Sequence, residues 1–574
     1  MFRWLLTTAL LFAAQLSDAS DWLFRNGRSD YKIVVSDSAH DSEKAAAREL
    51  QDYIRQISGV LLPITSKPEN GGKHVFIGLS DYSKKLLDVE MQADPAETFT
   101  YQTKDGNLFI YGGRNVGTAY GVFSFLEQQL GVHWYSSDFT MIPRLDAFKL
   151  GKLKHTESPA FRYRHVLYYQ MVWNALMNVH NLQNMHLWPM DCGSYGTLFS
   201  FWETHTFSLL LPPDEFFSAH PEYYSLHKGR RIDNGQLCLS NPVVLGLLAE
   251  RMLEVIKKNP KYFAYSLSQN DNQLYCECET CCSLEQRYGS HAGLLLWAVN
   301  QVAEAIDKKL PGTKLITLAY QYTRQAPKGI LPHRNVFIRL CDIECCFLHP
   351  IDRSKENDAF MSDLKEWSKL TDRLFIFDYV TNFTQYTAPF PNFMVMASNL
   401  QTFAKYHVAG VMEEGQYESN GGEWAELKQW VLAKLLWNPR QDVNQLVRQF
   451  IRDYYGKAAP HVLKYYSLCC SLVHGDTHAR FDNHHSNKLY TDLFVDKGIS
   501  LLQDALAECK TDSAVTRRVE HLLLQPLYLQ MMRQPLKAAA NGNIKRYINI
   551  VNRDKIRMRE GVPSEVTLRE HGFT

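Results

Sequence analysis

Phe377-Asp378-Tyr379-Val380-Thr381-Asn382 closes an apolar run that begins at Leu374, and the same design recurs along the chain. Ser268-Gln269-Asn270-Asp271-Asn272, Cys341-Asp342-Ile343-Glu344 and Met412-Glu413-Glu414-Gly415 are three further run ends rich in acids and amides. Eight strand candidates lie in order between Arg164 and Gly415: Arg164–Tyr169, Asn184–Trp188, Thr206–Leu211, Phe263–Ser268, Lys314–Ala319, Val336–Leu340, Leu374–Tyr379 and Ala409–Glu413. Amphipathic stretches such as Leu294–Ile306, Phe360–Leu370 and Trp424–Leu436 separate several of them. Strand alternating with helix eight times predicts an α/β fold, a (β/α)8 TIM-like barrel. Such a barrel carries its chemistry at the C-terminal ends of its strands, where these acids and amides fall.

Outward from the barrel the chain reads as three parts after a leader. Met1-Phe2-Arg3, the apolar run Trp4 to Ala14, and small residues at Ser17 and Ala19 have the form of a secretory signal peptide over residues 1–19. The expected location is therefore secreted: extracellular or periplasmic, or lysosomal in a eukaryote. Residues 21–150 read as a small α/β accessory domain, with strands at Tyr31–Ser36, His74–Leu79 and Asn107–Tyr111 and a helical face of Leu50, Tyr53, Ile54 and Ile57 stopped by Gly59. The barrel occupies 160–440. Residues 441–574 read as helical, with segments at Val443–Tyr455, His461–Leu472, Lys497–Cys509, Thr516–Met532 and Ile544–Met558.

Composition narrows the function. Lys+Arg 62 against Asp+Glu 61 gives a net charge of +1 over 574 residues, which argues against a nucleic-acid or anionic-membrane partner. No stretch after the leader reads as a membrane span. Gly112-Gly113 before a helix invites a phosphate-cradle reading, but no Walker lysine or dinucleotide fingerprint accompanies it, so a tight strand-to-helix turn is preferred. The His-Glu-x-x-His and G-x-S-x-G patterns of metalloproteases and esterases are missing from the sequence. Twelve cysteines in an exported chain imply some disulfide pairing. Cys276-x-Cys278-x-x-Cys281 has zinc-like spacing, but with no evident fourth ligand beyond the adjacent Cys282, disulfides or free structural thiols are the preferred reading over a metal.

Two stretches resemble known families. Ile110-Tyr111-Gly112-Gly113-Arg114-Asn115-Val116-Gly117-Thr118-Ala119-Tyr120-Gly121-Val122, running on to Leu130-Gly131-Val132, is similar to the domain that precedes the barrel in α-glucuronidases and β-hexosaminidases. His205-Thr206-Phe207, His220-Pro221-Glu222-Tyr223, Asn270-Asp271 with Cys276-Glu277-Cys278, Ile343-Glu344-Cys345-Cys346-Phe347, Asp378 to Phe383, Glu413 with Gly415, and Leu435-Leu436-Trp437-Asn438-Pro439 resemble glycoside hydrolase family 163. That resemblance implies an endo-β-N-acetylglucosaminidase that cuts the chitobiose core of N-glycans without a cofactor. Its partner would be an oligosaccharide or glycoprotein glycan.

Cleaving a glycosidic bond needs an acid for the leaving oxygen and a group on the other face of the sugar; with a 2-acetamido sugar, the substrate's own carbonyl can serve. Glu413 and Glu344 are the candidate acid and its partner, and Asp271 is the candidate for orienting the acetamide. The family motif favours Glu413, rather than Glu414, turned into the barrel mouth. The bland alternatives are a hydroxyl-binding or surface acid for Glu413, a buried ion pair for Glu344 and a loop cap for Asp271. Arg164, His205, Asn270, Asp378, Tyr379 and Asn382 are the candidate substrate-binding residues. Arg164 equally fits an ion pair at a domain interface, and Asn382-Phe383-Thr384 is a formal glycosylation sequon read as incidental. Trp173, Trp188 and Tyr320 could stack on sugars or fill the core. Two other functions stay open: an exo-acting β-hexosaminidase or glucuronidase, and a carbohydrate-binding protein without catalysis.

Overall fold

The computed structural model describes residues 21–87, 97–113 and 116–556. The leader and the end of the last predicted helix, beyond residue 556, lie outside the described residues. The chain forms two compact units, one built on residues up to Trp134 with Thr140–Pro159, the other on Ala160–Cys192 and the chain from Thr197 onward.

The first unit is a six-stranded sheet in the order Lys154–Glu157, Phe99–Lys104, Asn107–Gly112, Lys73–Ile77, Tyr31–Val35, Ile64–Thr65. Val34, Phe76 and Phe109 pack together on one face. Helix Asp41–Ser58 begins at a His40/Glu43 capping box and ends at Gly59 with φ 77°. That left-handed turn suits glycine. The Gly112 turn is tight: a Cβ there would lie 2.3 Å from the carbonyl carbon of Gly117. Thr118 Oγ1 accepts the Gly112 N–H and donates to the Glu43 carboxylate. An acid therefore sits where a phosphate would need positive surroundings, and the turn is structural.

The second unit contains an eight-stranded parallel barrel. Its strands are β1 (Tyr163–Leu167), β2 (Met185–His186), β3 (Phe199–Trp202), β4 (Ala264–Ser266), β5 (Leu315–Ala319), β6 (Val336–Cys341), β7 (Leu374–Tyr379) and β8 (Gly410–Glu414). Ladders join them in the ring order 2-3-4-5-6-7-8-1. The remaining seam, between β1 and β2, is closed largely by one side chain. Asn184 Oδ1 accepts the Arg164 N–H at 2.9 Å, and Asn184 Nδ2 donates to the Arg162 carbonyl at 2.9 Å.

One of the eight expected strands is misplaced. Thr206–Leu211 is not a strand; Phe207–Leu210 is a single helical turn, and β3 lies upstream at Phe199–Trp202. A short apolar run does not distinguish helix from strand by its periodicity. Tyr163, Met185, Phe201, Ala264, Ile316, Phe337 and Phe375 fill the barrel interior as a single cluster. That cluster takes one residue from each of β1 to β7 and so fixes the phase of those seven strands. A Cβ on Gly410 would meet the Phe375 ring at 2.5 Å and Tyr163 Cβ at 2.7 Å, so Gly410 faces inward, as do Met412 and Glu414 two and four residues on.

Helices follow the barrel: Val443–Tyr455, Ala459–Cys470, Asp492–Glu508, Ser513–Arg533 and Asn543–Asp554. The first presents Leu446, Val447, Phe450, Ile451, Tyr454 and Tyr455 as one buried stripe and is capped by Asp442 through the Asn444 and Gln445 amides. Among the described residues no helix is long and apolar enough to cross a membrane.

Candidate active site

A cavity of about 440 Å³ opens at the C-terminal ends of the barrel strands. Its wall takes His205 from the loop after β3, Asp271 after β4, Tyr320 after β5, Cys341 and Ile343 at β6, Phe377 and Tyr379 from β7, and Glu414, Tyr417 and Glu418 at and beyond β8. Phe383, Tyr386 and Phe481 add apolar surface. The Tyr320 hydroxyl donates to Asp271 Oδ1 at 3.0 Å, and Gln321 Nε2 donates to Tyr320 Oη at 2.9 Å. Burial, and the Asp271 carboxylate beside it, push the Tyr320 phenol well above its ordinary range, so it stays a donor. His205 Nδ1 donates to the Gln269 carbonyl at 2.7 Å, which leaves Nε2 as an acceptor. Phe377 and Tyr379 stack with ring centroids 4.8 Å apart.

Beneath this wall, inside the barrel, lies Arg339. Its guanidinium sits 4.6 Å from the Phe201 ring centroid and 5.5 Å from that of Phe377. Burial lowers its pKa to about 10, while the Cys341 thiol and Tyr379 phenol beside it are themselves pushed well above their ordinary values by burial, and the Glu414 carboxyl opposes the lowering. These three neighbours share the inward phase. Strands β4 and β8 are four places apart in an eight-strand ring, so Asp271 and Glu414 reach the cavity from opposite sides.

The structure therefore brings Asp271, His205, Tyr379 and Tyr320 to one cavity and separates the other sequence candidates from it. Glu413 is the main correction. It is 1% exposed, faces the outer side of the sheet, and leaves the cavity to Glu414. Glu344 is also off the cavity; Arg324 Nη1 binds its Oε2 at 2.7 Å, and Arg324 Nε binds Asp363 Oδ2 at 2.7 Å. Asn270 serves the loop: its Oδ1 accepts the Ser208 N–H and its Nδ2 donates to the Gly235 carbonyl. Asn382 is fully buried and donates to the Asn483 carbonyl at 2.6 Å, so the sequon is inaccessible to a glycan. Trp173 is largely exposed against Trp188, ring centroids 5.5 Å apart, and neither lines the cavity.

Arg164 is fully buried as well, and it is not positioned to bind sugar. Its Nε donates to the Leu182 carbonyl at 2.8 Å and its Nη1 to the Phe161 carbonyl at 2.9 Å, over the Trp437 ring. It clamps the β1–β2 connection, where Leu182 has φ 57°. An ammonium cannot reproduce that fork. We expect Arg164→Lys to lower unfolding free energy by ~2–3 kcal/mol in urea titration, from lost charged hydrogen bonds.

Asp378 and Glu413, adjacent in the β7–β8 register, and Asp342, which follows Cys341 opposite Phe377, form a row of carboxyls on the outer face of the sheet. All three are buried, and Asp342 and Glu413 have no partner for either oxygen unless protons are shared along the row. Burial first, then the neighbouring carboxylates, raises Asp342 and Glu413 well above the usual range; burial lifts Asp378 to about 6. Folded pKa values above unfolded ones mean the native state holds more protons. The row's contribution is then undiminished below pH ~4 and is lost as pH rises through the folded values. We expect Glu413→Gln, which mimics the protonated acid, to gain stability relative to the parent as pH rises from 5 to 8. The slope should be ~1.4 kcal/mol per pH unit for one proton, measured by denaturant unfolding at each pH; a flat difference would remove the shared-proton account.

The fold is shared with solved glycoside hydrolases. A family GH115 4-O-methyl-α-glucuronidase with specificity for decorated arabinogalactans aligns at a TM-score of 0.56 and 11% identity, over 93% of this chain and 77% of that one. A GH138 enzyme targeting pectin rhamnogalacturonan II aligns at 0.51 and 11% identity, over 92% and 93%. At this identity the likeness is one of fold. Among curated proteins none matches the sequence. A family model described as a domain of unknown function, DUF4838, matches residues 134–467, more than half of the chain, and the chain belongs to that family.

Proposed function

We propose that the chain is a glycoside hydrolase, and specifically an exported endo-β-N-acetylglucosaminidase acting on the chitobiose core of N-glycans. The observation that carries the hydrolase reading is the pair Asp271 and Glu414, facing one aromatic-walled cavity from strands half a ring apart. Substrate-assisted cleavage needs an acid at the leaving oxygen and a second carboxylate that orients the acetamide on the other face of the sugar. Asp271, held by the Tyr320 hydroxyl, orients and polarises the substrate's 2-acetamido group, whose carbonyl oxygen attacks the anomeric carbon. Glu414 donates a proton to the departing glycosidic oxygen and then takes one from the incoming water. Tyr379, Phe377, Phe383 and Phe481 offer apolar faces for sugar C–H surfaces. The choice of N-glycan rests on the sequence resemblance to glycoside hydrolase family 163.

Mass spectrometry of a complex-type N-glycoprotein incubated with the purified chain tests this reading. The expected product is a glycan released so that one N-acetylglucosamine remains on asparagine. Loss of single terminal sugars would replace the endo reading with an exo-glycosidase. Glycan binding with no release would favour a non-catalytic lectin role.

A further inference from the structure

Four cysteines away from the cavity meet at one point. Cys238 Sγ lies 3.7 Å from Cys278 Sγ and 3.9 Å from Cys281 Sγ, and with Cys276 all four sulfurs lie within 4.8 Å of one another. A tetrahedron of thiolates around zinc, with Zn–S of ~2.3 Å, has sulfur–sulfur edges of ~3.8 Å. A disulfide would bring one pair to ~2.05 Å and leave the others outside it. Cys238 is almost equidistant from two partners, so the arrangement singles out no pair. None of the four is disulfide-bonded.

We propose that Cys238, Cys276, Cys278 and Cys281 bind a structural zinc ion. The four sulfurs complete the coordination and leave no open position, which suits a structural rather than a catalytic metal. The surroundings supply donors for a sulfur-rich, net negative centre. The Leu226 N–H points to Cys276 Sγ at 3.3 Å and the Arg231 guanidinium approaches it at 3.8 Å, while Ser240 Oγ is 3.1 Å from Cys281 Sγ. The ion would join the long excursion between β3 and β4 to the loop that carries Asp271. Gln236, two residues before Cys238, accepts the Asn270 N–H at 2.9 Å and donates to the Asn270 and Asn272 carbonyls at 2.9 and 2.8 Å. Zinc at this clip thus fixes the wall of the cavity on the Asp271 side.

Metal analysis of the purified full chain, with and without substitutions, tests the proposal independently of any glycosidase activity. Cys238→Ser/Cys281→Ser should lose one equivalent of zinc relative to the parent. His478→Ala should retain it, although Cys346, His349 and His478 form a separate three-ligand group. Should the double variant fail to fold, titrating the parent with a mercurial thiol reagent should release that zinc in step with four thiols, and Co(II) in its place should give tetrahedral thiolate absorption. A disulfide among the four in non-reducing peptide mapping would overturn the proposal, and so would four freely alkylated thiols without metal.

Discussion

Glu414→Gln is expected to lower turnover of a glycan substrate by ~10²–10⁴-fold, the usual weight of a positioned proton donor, while leaving glycan affinity largely intact. Glu413→Gln, one residue away, should stay within a few-fold of the parent. The contrast follows from strand phase alone: Glu414 lines the cavity, whereas Glu413 joins the carboxyl row on the outer face. Leaving-group dependence then separates the two acids on the cavity. On an aryl glycoside whose phenolate departs without a proton, the loss in Glu414→Gln should shrink. The loss in Asp271→Asn should persist there, because the acetamide still has to be oriented before it attacks. Equal losses for the two substrates in Glu414→Gln would take the acid role away from Glu414. A large loss in Glu413→Gln with unchanged folding would overturn the phase argument itself.

That phase marks the limit of what the residues alone reveal. Seven of the eight barrel strands, β1, β2 and β4 to β8, fall where their apolar runs predict, because a parallel strand buried on both faces is a continuous hydrophobic stretch. The same property hides which side of the stretch faces inward. Val411 and Met412 are both buried, so the pattern preceding Glu413 and Glu414 carries no alternation. The one local signal is Gly410, since a glycine within a strand marks a close approach by another group; here these are Phe375 and Tyr163. Tertiary partners explain the other reassignments. Arg324 claims Glu344, and the carbonyls of Leu182 and Phe161 claim the Arg164 fork. The fourth sulfur of the cysteine cluster lies 38 residues before Cys276 in the chain, beyond the reach of any spacing rule, and Phe481 reaches the cavity from a loop between the helices that follow the barrel.

The largest stability effect should come from Lys428. It lies in the helix Ala425–Trp437 after β8, and its ammonium is fully buried, bonded to the Glu423 carboxylate, to the Phe390 carbonyl at 2.9 Å and to the Val380 carbonyl at 3.4 Å. Burial drives both partners toward their neutral forms, lifting Glu423 to about 7 and lowering Lys428 below its ordinary value, and each is held charged mainly by the other. The pair joins the loop after β7 to the loop after β8, and Glu423 also donates its backbone N–H to the Tyr386 carbonyl. These loops supply Phe383, Tyr386, Tyr417 and Glu418 to the cavity wall. Lys428→Met removes the cation and leaves a buried acid with two unanswered carbonyls. The expected cost at pH 8 is ~3–5 kcal/mol, the range for breaking a buried pair by removing one partner. Glu423 can then escape only by binding a proton, so its folded pKa rises further and the variant loses stability relative to the parent as pH increases from 5 to 8. Lys428→Met/Glu423→Leu should recover most of the loss and abolish that pH dependence, because no buried charge remains. Denaturant unfolding of Lys428→Met, Glu423→Leu and the double variant at pH 5 and pH 8 completes the cycle. If the double variant is no more stable than Lys428→Met, the cost belongs to packing rather than to the uncompensated carboxylate.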